Sequence, residues 1–128
     1  MKLENQVVSL ELAKKLKKLG FKQESYFYWA DNEDGEWQLC LNWKNKEYDD
    51  PIIFVGRELE ENEDGDYYPA YIVAELGEML PGGYSSWNGY KDKWSCEPGD
   101  ESFIVQGNIE ADARAKMLVY LKKNNLIK

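Results

Sequence analysis

The chain has 128 residues, 43% apolar and 14% aromatic, and a net charge of −8. That is one domain's length with enough apolar material for a core, which excludes a disordered tail, and the excess of acid excludes a general nucleic-acid binder or a protein drawn to anionic membranes. Histidine is absent, so serine–histidine and cysteine–histidine catalysis and histidine-ligated metal sites are excluded too.

Ser9 is placed to cap a first helix, with Glu11 in its first turn. Leu12, Leu16 and Leu19 recur on one face, and Lys14, Lys15, Lys17 and Lys18 cover the other. Gly20 stops this helix and Phe21 folds back onto its last turn. A hairpin follows. Tyr26-Phe27-Tyr28-Trp29 is an aromatic strand, residues 31–35 are a turn, and Trp37, Leu39, Leu41 and Trp43 make one apolar face of the return strand. A third apolar run, Ile52 to Val55, ends at Gly56, and residues 58–66 are mostly acidic.

Val73, Leu76 and Leu80 mark a short second helix terminated by Pro81-Gly82-Gly83. Tyr84 to Tyr90 reads as a Gly/Ser loop rich in aromatics. Trp94 to Cys96 and Phe103 to Val105 are short strands joined through Pro98-Gly99-Asp100. The last helix is expected to be capped by Asn108, with Ala113, Met117, Tyr120 and Leu121 on one face, and Leu126 and Ile127 tucked against the body. The order helix, strands, helix, strands, helix with tight turns predicts a single α+β domain over residues 1–128: an antiparallel sheet of about four to five strands packed with three helices.

Residues 1–15 hold no apolar core of signal-peptide length, and no run approaches the ~18 apolar residues of a membrane span. A cytoplasmic location is expected, with Cys40 and Cys96 as buried free thiols. No cofactor or metal motif is present. Gly82-Gly83 follows a helix, whereas a phosphate cradle precedes one. If Gly65 were the turn glycine of a calcium loop, the last ligand would be Tyr71, where a carboxylate is required.

The candidate binding surface is the aromatic loop: Tyr84, Trp87, Tyr90 and Trp94, with Lys91 and Lys93 between the rings. Such rings stack on a base, a sugar or a partner's side chain, and the lysines meet a phosphate or carboxylate. Alternatively the rings fold back and cap the sheet. Arg57, after the third strand, is a further candidate for anion capture. Arg114 is expected to pair with Glu110 one helical turn away. Trp29, Trp37 and Trp43 are expected to be core, and the acidic run a solvated loop.

Three stretches, Ser9 to Trp29, Val73 to Pro81 and Glu110 to Ile127, resemble a family of small proteins of bacteriophage genomes, prophages and related gut bacteria. The resemblance does not extend to residues 44–68. It implies a phage origin and a nonessential or host-facing role, and it carries no catalytic residue onto this chain. Together these features predict a non-enzymatic binding protein acting on a host protein or a small ligand such as a nucleotide, for example against host defence, with homo-oligomers allowed. The alternatives are a phage structural or assembly accessory, and an acidic immunity-like protein that neutralises a toxin or nuclease.

Overall fold

The computed structural model describes residues 5–21, 25–31, 37–42, 57–59, 67–89, 93–99 and 103–127, with the side chains at 31, 41, 42 and 57–59 left outside that description. Residues 32–36, which hold most of the turn expected at 31–35, together with Trp43, the run 52–55 and most of the acidic segment therefore lie outside the described residues, as do Tyr90, Lys91 and Asp100.

The fold is α+β, in the order helix, strands, helix, strands, helix. Helix α1 (Leu10–Lys18) precedes β1 (Phe27–Asp31), β2 (Trp37–Asn42), β3 (Arg57–Leu59) and β4 (Tyr67–Pro69). Helix α2 (Val73–Met79) leads into β5 (Ser85–Asn88), β6 (Trp94–Glu97) and β7 (Val105–Gly107), and α3 (Glu110–Lys123) closes the chain. The strands divide between two sheets rather than forming one. β2, β1 and β4 make an antiparallel sheet, with the short β3 alongside β2 in parallel, and β5, β6 and β7 make a second antiparallel sheet.

Helix α3 is the hub. It touches α1, α2 and all three strands of the second sheet, and Ala111, Ala113, Ala115, Met117, Leu118, Val119 and Leu121 are all buried. A helix apolar around most of its circumference belongs inside, and full burial of Met117, Leu118 and Leu121 stabilises by about 1.5–3 kcal/mol each. Its small residues admit close neighbours. A Cβ on Gly107 would come 2.6 Å from the Ala113 backbone nitrogen, so β7 lies directly against the helix only because residue 107 is glycine.

Two helix ends are closed the same way. Gly20, at φ 90°, lets Phe21 N–H bond Leu16 O and Gly20 N–H bond Lys17 O. Asn125, at φ 56°, does the same after α3, with Leu126 N–H on Leu121 O and Asn125 N–H on Lys122 O. The structure corrects several sequence expectations. The N-cap of α3 is Ile109, not Asn108. Tyr120 is exposed, its ring 4.9 Å from Phe103. Only Ile127 of the C-terminal pair packs on the core, Leu126 being exposed. The segment read as an aromatic loop holds strand β5, because β6 supplies its hydrogen-bonding partner. Trp37 is half-buried beneath α1 lysines rather than in a core cluster.

Candidate functional site

The β5–β6 hairpin places the predicted aromatic residues on opposite faces. Cross-strand partners share a face. Ser86, Trp94 and Cys96 share the face toward α3, with Trp94 opposite Gly107 on β7, whereas Ser85, Trp87 and Glu97 lie on the other face together with Ser95, which is fully buried. Trp87 is 42% exposed, and its indole N–H donates to Glu97 Oε1 at 3.2 Å. Trp94 and Tyr84 are half-buried against the main core. Lys93 is exposed at the hairpin tip, where Gly89 N–H bonds its carbonyl. The fold therefore separates Trp87 from Trp94. For Arg57 only the backbone is described, in β3, and it is remote in sequence from the hairpin.

Trp94 forms one wall of a pocket of about 500 Å³. Ile72, Val73 and Ala74 at the start of α2 form a second wall, Ile109 and Glu110 at the start of α3 a third, and Asn5 and Gln6 the rim. The isolated bridge between Val7 and Ile72 holds the N-terminal segment in place, and the Trp29 indole N–H fixes Val8 by donating to its carbonyl at 2.8 Å. The walls are mostly apolar, and Glu110 is the one charged group on them among the described residues.

Glu110 is held by a network across three elements. Ser86 Oγ donates to Glu110 Oε2 at 2.6 Å, and Arg114 Nη2 lies 3.6 Å from the same oxygen. Arg114 also donates from Nε to Ser86 Oγ at 2.9 Å and from Nη1 to the Val73 carbonyl at 3.1 Å. Gly77 makes room, since a methyl there would collide with the guanidinium. The expected Glu110–Arg114 pair is present, and it ties α2, α3 and β5 together. With Oε2 so engaged, Oε1 has no partner among the described residues and can accept from a ligand.

Other ionisable groups are built into the frame. Glu75, buried, accepts from Ser25 Oγ at 2.8 Å and from Ile72 N–H at 3.1 Å, which closes the start of α2. Burial, and then the neighbouring Glu75 charge, push the Tyr71 phenol above its ordinary range. Burial likewise raises the Asp112 carboxyl, against the opposing effect of hydrogen bonds from Ser9, whose N–H lies 2.8 Å from Oδ1. Ser9 thus begins α1 with its side chain making no cap bond of its own helix. Cys40 and Cys96 are buried free thiols, and burial pushes Cys96 up to about 11.

A second arrangement lies on the other side of α1. Lys14 Nζ sits 5.0 Å from the Trp37 ring centre, and Lys17 Nζ sits 5.0 Å from that of Tyr68 and 5.5 Å from that of Tyr67. Sequence reasoning assigned the lysines to a solvated face and Trp37 to the core. Nothing local could join them, because the contacts close over separations of more than twenty residues. The pocket walls pose the same difficulty, since they come from four segments of which only Trp94 carried a signal.

No protein-family model matches the chain, and no curated protein or solved structure matches it.

Proposed function

We propose that this is a non-enzymatic binding protein of phage type whose Trp94 pocket holds a small flat ligand, best suited to the base of a nucleotide. The observation that carries this is the pocket itself: an indole wall, apolar neighbours, and a carboxylate whose second oxygen is free to accept among the described residues. Pockets of about 300–1,000 Å³ with apolar walls and few polar groups are typical small-ligand sites. Indole stacks on any base, and a carboxylate accepts from the adjacent imino and amino N–H groups that a guanine-type edge presents. Lys93, next to Trp94 in sequence, is exposed and is not among the residues that line the pocket. In the phage setting that the resemblance implies, the corresponding role is sequestration of a host nucleotide signal in the host-cell cytoplasm. No helix among the described residues is long and apolar enough to cross a membrane.

Calorimetric titration with guanosine and adenosine monophosphates tests this. Binding of the guanine nucleotide is expected, weakened about tenfold by Glu110→Gln, the loss of a charged acceptor. Ala74→Trp should abolish binding, because residue 74 is exposed at the pocket wall and the new ring fills it without entering the core. No heat with either nucleotide would count against the nucleotide assignment.

A second reading, contact with a host protein, is favoured by the exposure of Trp87 on the outward face of the second sheet. Trp87→Ser would then release a co-purifying protein and leave nucleotide titration unchanged.

A further inference from the structure

The outer face of α1 concentrates positive charge on an acidic protein. Lys14, Lys15, Lys17 and Lys18 lie within nine residues, all exposed, with Glu11 the single acid of the helix. None of the four is in an ion pair among the described residues. Beneath two of them run aromatic rings from β2 and β4. Lys14 Nζ is 5.0 Å from the Trp37 ring centre and 5.8 Å from that of Tyr68, and Lys17 Nζ is 5.0 Å from Tyr68 and 5.5 Å from Tyr67. Lys17 Nζ also donates to the Tyr67 carbonyl at 3.2 Å, and Trp37 and Tyr68 pack on each other with ring centres 5.6 Å apart.

These contacts decide what the face can recognise. A lysine held over a ring has surrendered part of its rotamer freedom, so less is lost when an anion docks on it. The ring faces toward α1 are occupied by ammonium groups, so a nucleobase cannot stack there without displacing a lysine. That disfavours single-stranded nucleic acid, whose binding depends on stacking as well as charge. Lys15 and Lys18, which touch no ring among the described residues, add two cations with no carboxylate partner among those residues, about one helical turn from their neighbours. Ammonium groups that have no carboxylate partner among the described residues match carboxylates spaced along a peptide.

We propose that this lysine–aromatic face is a docking surface for an acidic, carboxylate-rich protein segment. It is separate from the Trp94 pocket and does not depend on what that pocket binds.

The test is fluorescence anisotropy at low ionic strength with two labelled probes, a glutamate-rich peptide and a thymidine oligonucleotide. The peptide is expected to bind, and binding should weaken as salt rises. Lys15→Ala with Lys18→Ala should weaken it roughly fivefold, the loss of two exposed ion pairs, and this pair leaves the ring contacts intact. Lys93→Ala, at the tip of the β5–β6 hairpin, should have no effect. Absence of peptide binding, an unchanged affinity in the double variant, or tighter binding of the oligonucleotide through the same lysines would each overturn the proposal.

Discussion

The molecule carries two aromatic sites built on opposite principles. At the pocket, Trp94 lines an open cavity and the Glu110 carboxylate is held by Ser86 and Arg114. At α1, ammonium groups of Lys14 and Lys17 lie over the rings of Trp37, Tyr67 and Tyr68 from β2 and β4. The residue types are alike, but the surroundings differ in sign. An uncovered ring in an apolar cavity favours a flat neutral surface with hydrogen-bond donors, whereas a ring under ammonium groups serves to hold charge for an anion. What an aromatic residue can recognise is set by what already occupies its faces.

The two sites stand on different elements, the pocket on α2, α3 and β6 and the lysine face on α1, so variants can separate them. The largest effect is expected from Gly107→Ala. Its methyl would press on the α3 backbone at Ala113, which cannot yield as a side chain does, and Gly107 pairs with Trp94 in the second sheet. A loss of about 1–3 kcal/mol in denaturant unfolding is expected, with nucleotide binding impaired and the α1 face unaltered in peptide binding.

Arg114→Ala comes next. It removes the donor to Ser86 and to the Val73 carbonyl and frees Glu110 from its partner. A loss of about 1–2 kcal/mol is expected, with weaker nucleotide binding, and again no change on the lysine face. Equal damage to both sites would mean that they are one cooperative surface rather than two.

The smallest effect concerns the tie between them. Asp112 on α3 accepts from the Ser9 N–H at the start of α1. Burial holds its folded pKa above the ordinary aspartate value, so the native state binds protons more tightly than the unfolded chain does in that window. Stability therefore falls as pH rises from the ordinary value through the folded one. Asp112→Asn keeps an oxygen for Ser9 and removes the charge. It should flatten the acid side of the stability–pH profile while both binding activities persist. A profile unchanged by the substitution would show that Asp112 contributes no such term.

Much of the frame was legible in local chemistry. The leucine spacing and Gly20 located α1 and its closing turn, and the Pro81-Gly82-Gly83 stop located the end of α2. Composition misled where partners lie far away. Ser85 to Asn88 looks like a loop in isolation and becomes a strand because β6 pairs with it. Tyr120 fits the apolar face of α3 in sequence, yet alanines at 111 and 115 bring other elements onto that helix and leave the tyrosine outside. Of the candidate site, Trp94 was visible as an aromatic next to a lysine. Glu110 was visible only as the partner of Arg114, and the walls from Ile72, Val73 and Ile109 had no local mark, because a cavity is a property of packing between segments.

The most direct test of the nucleotide pocket is native mass spectrometry of the tagged protein drawn gently from bacterial lysate, alongside the Ala74→Trp variant. An added mass of a few hundred daltons is expected on the wild-type chain and none on the variant. An added mass that persists in Ala74→Trp, or a wild-type chain that is bare in every preparation and stays bare when nucleotides are supplied, would contradict it.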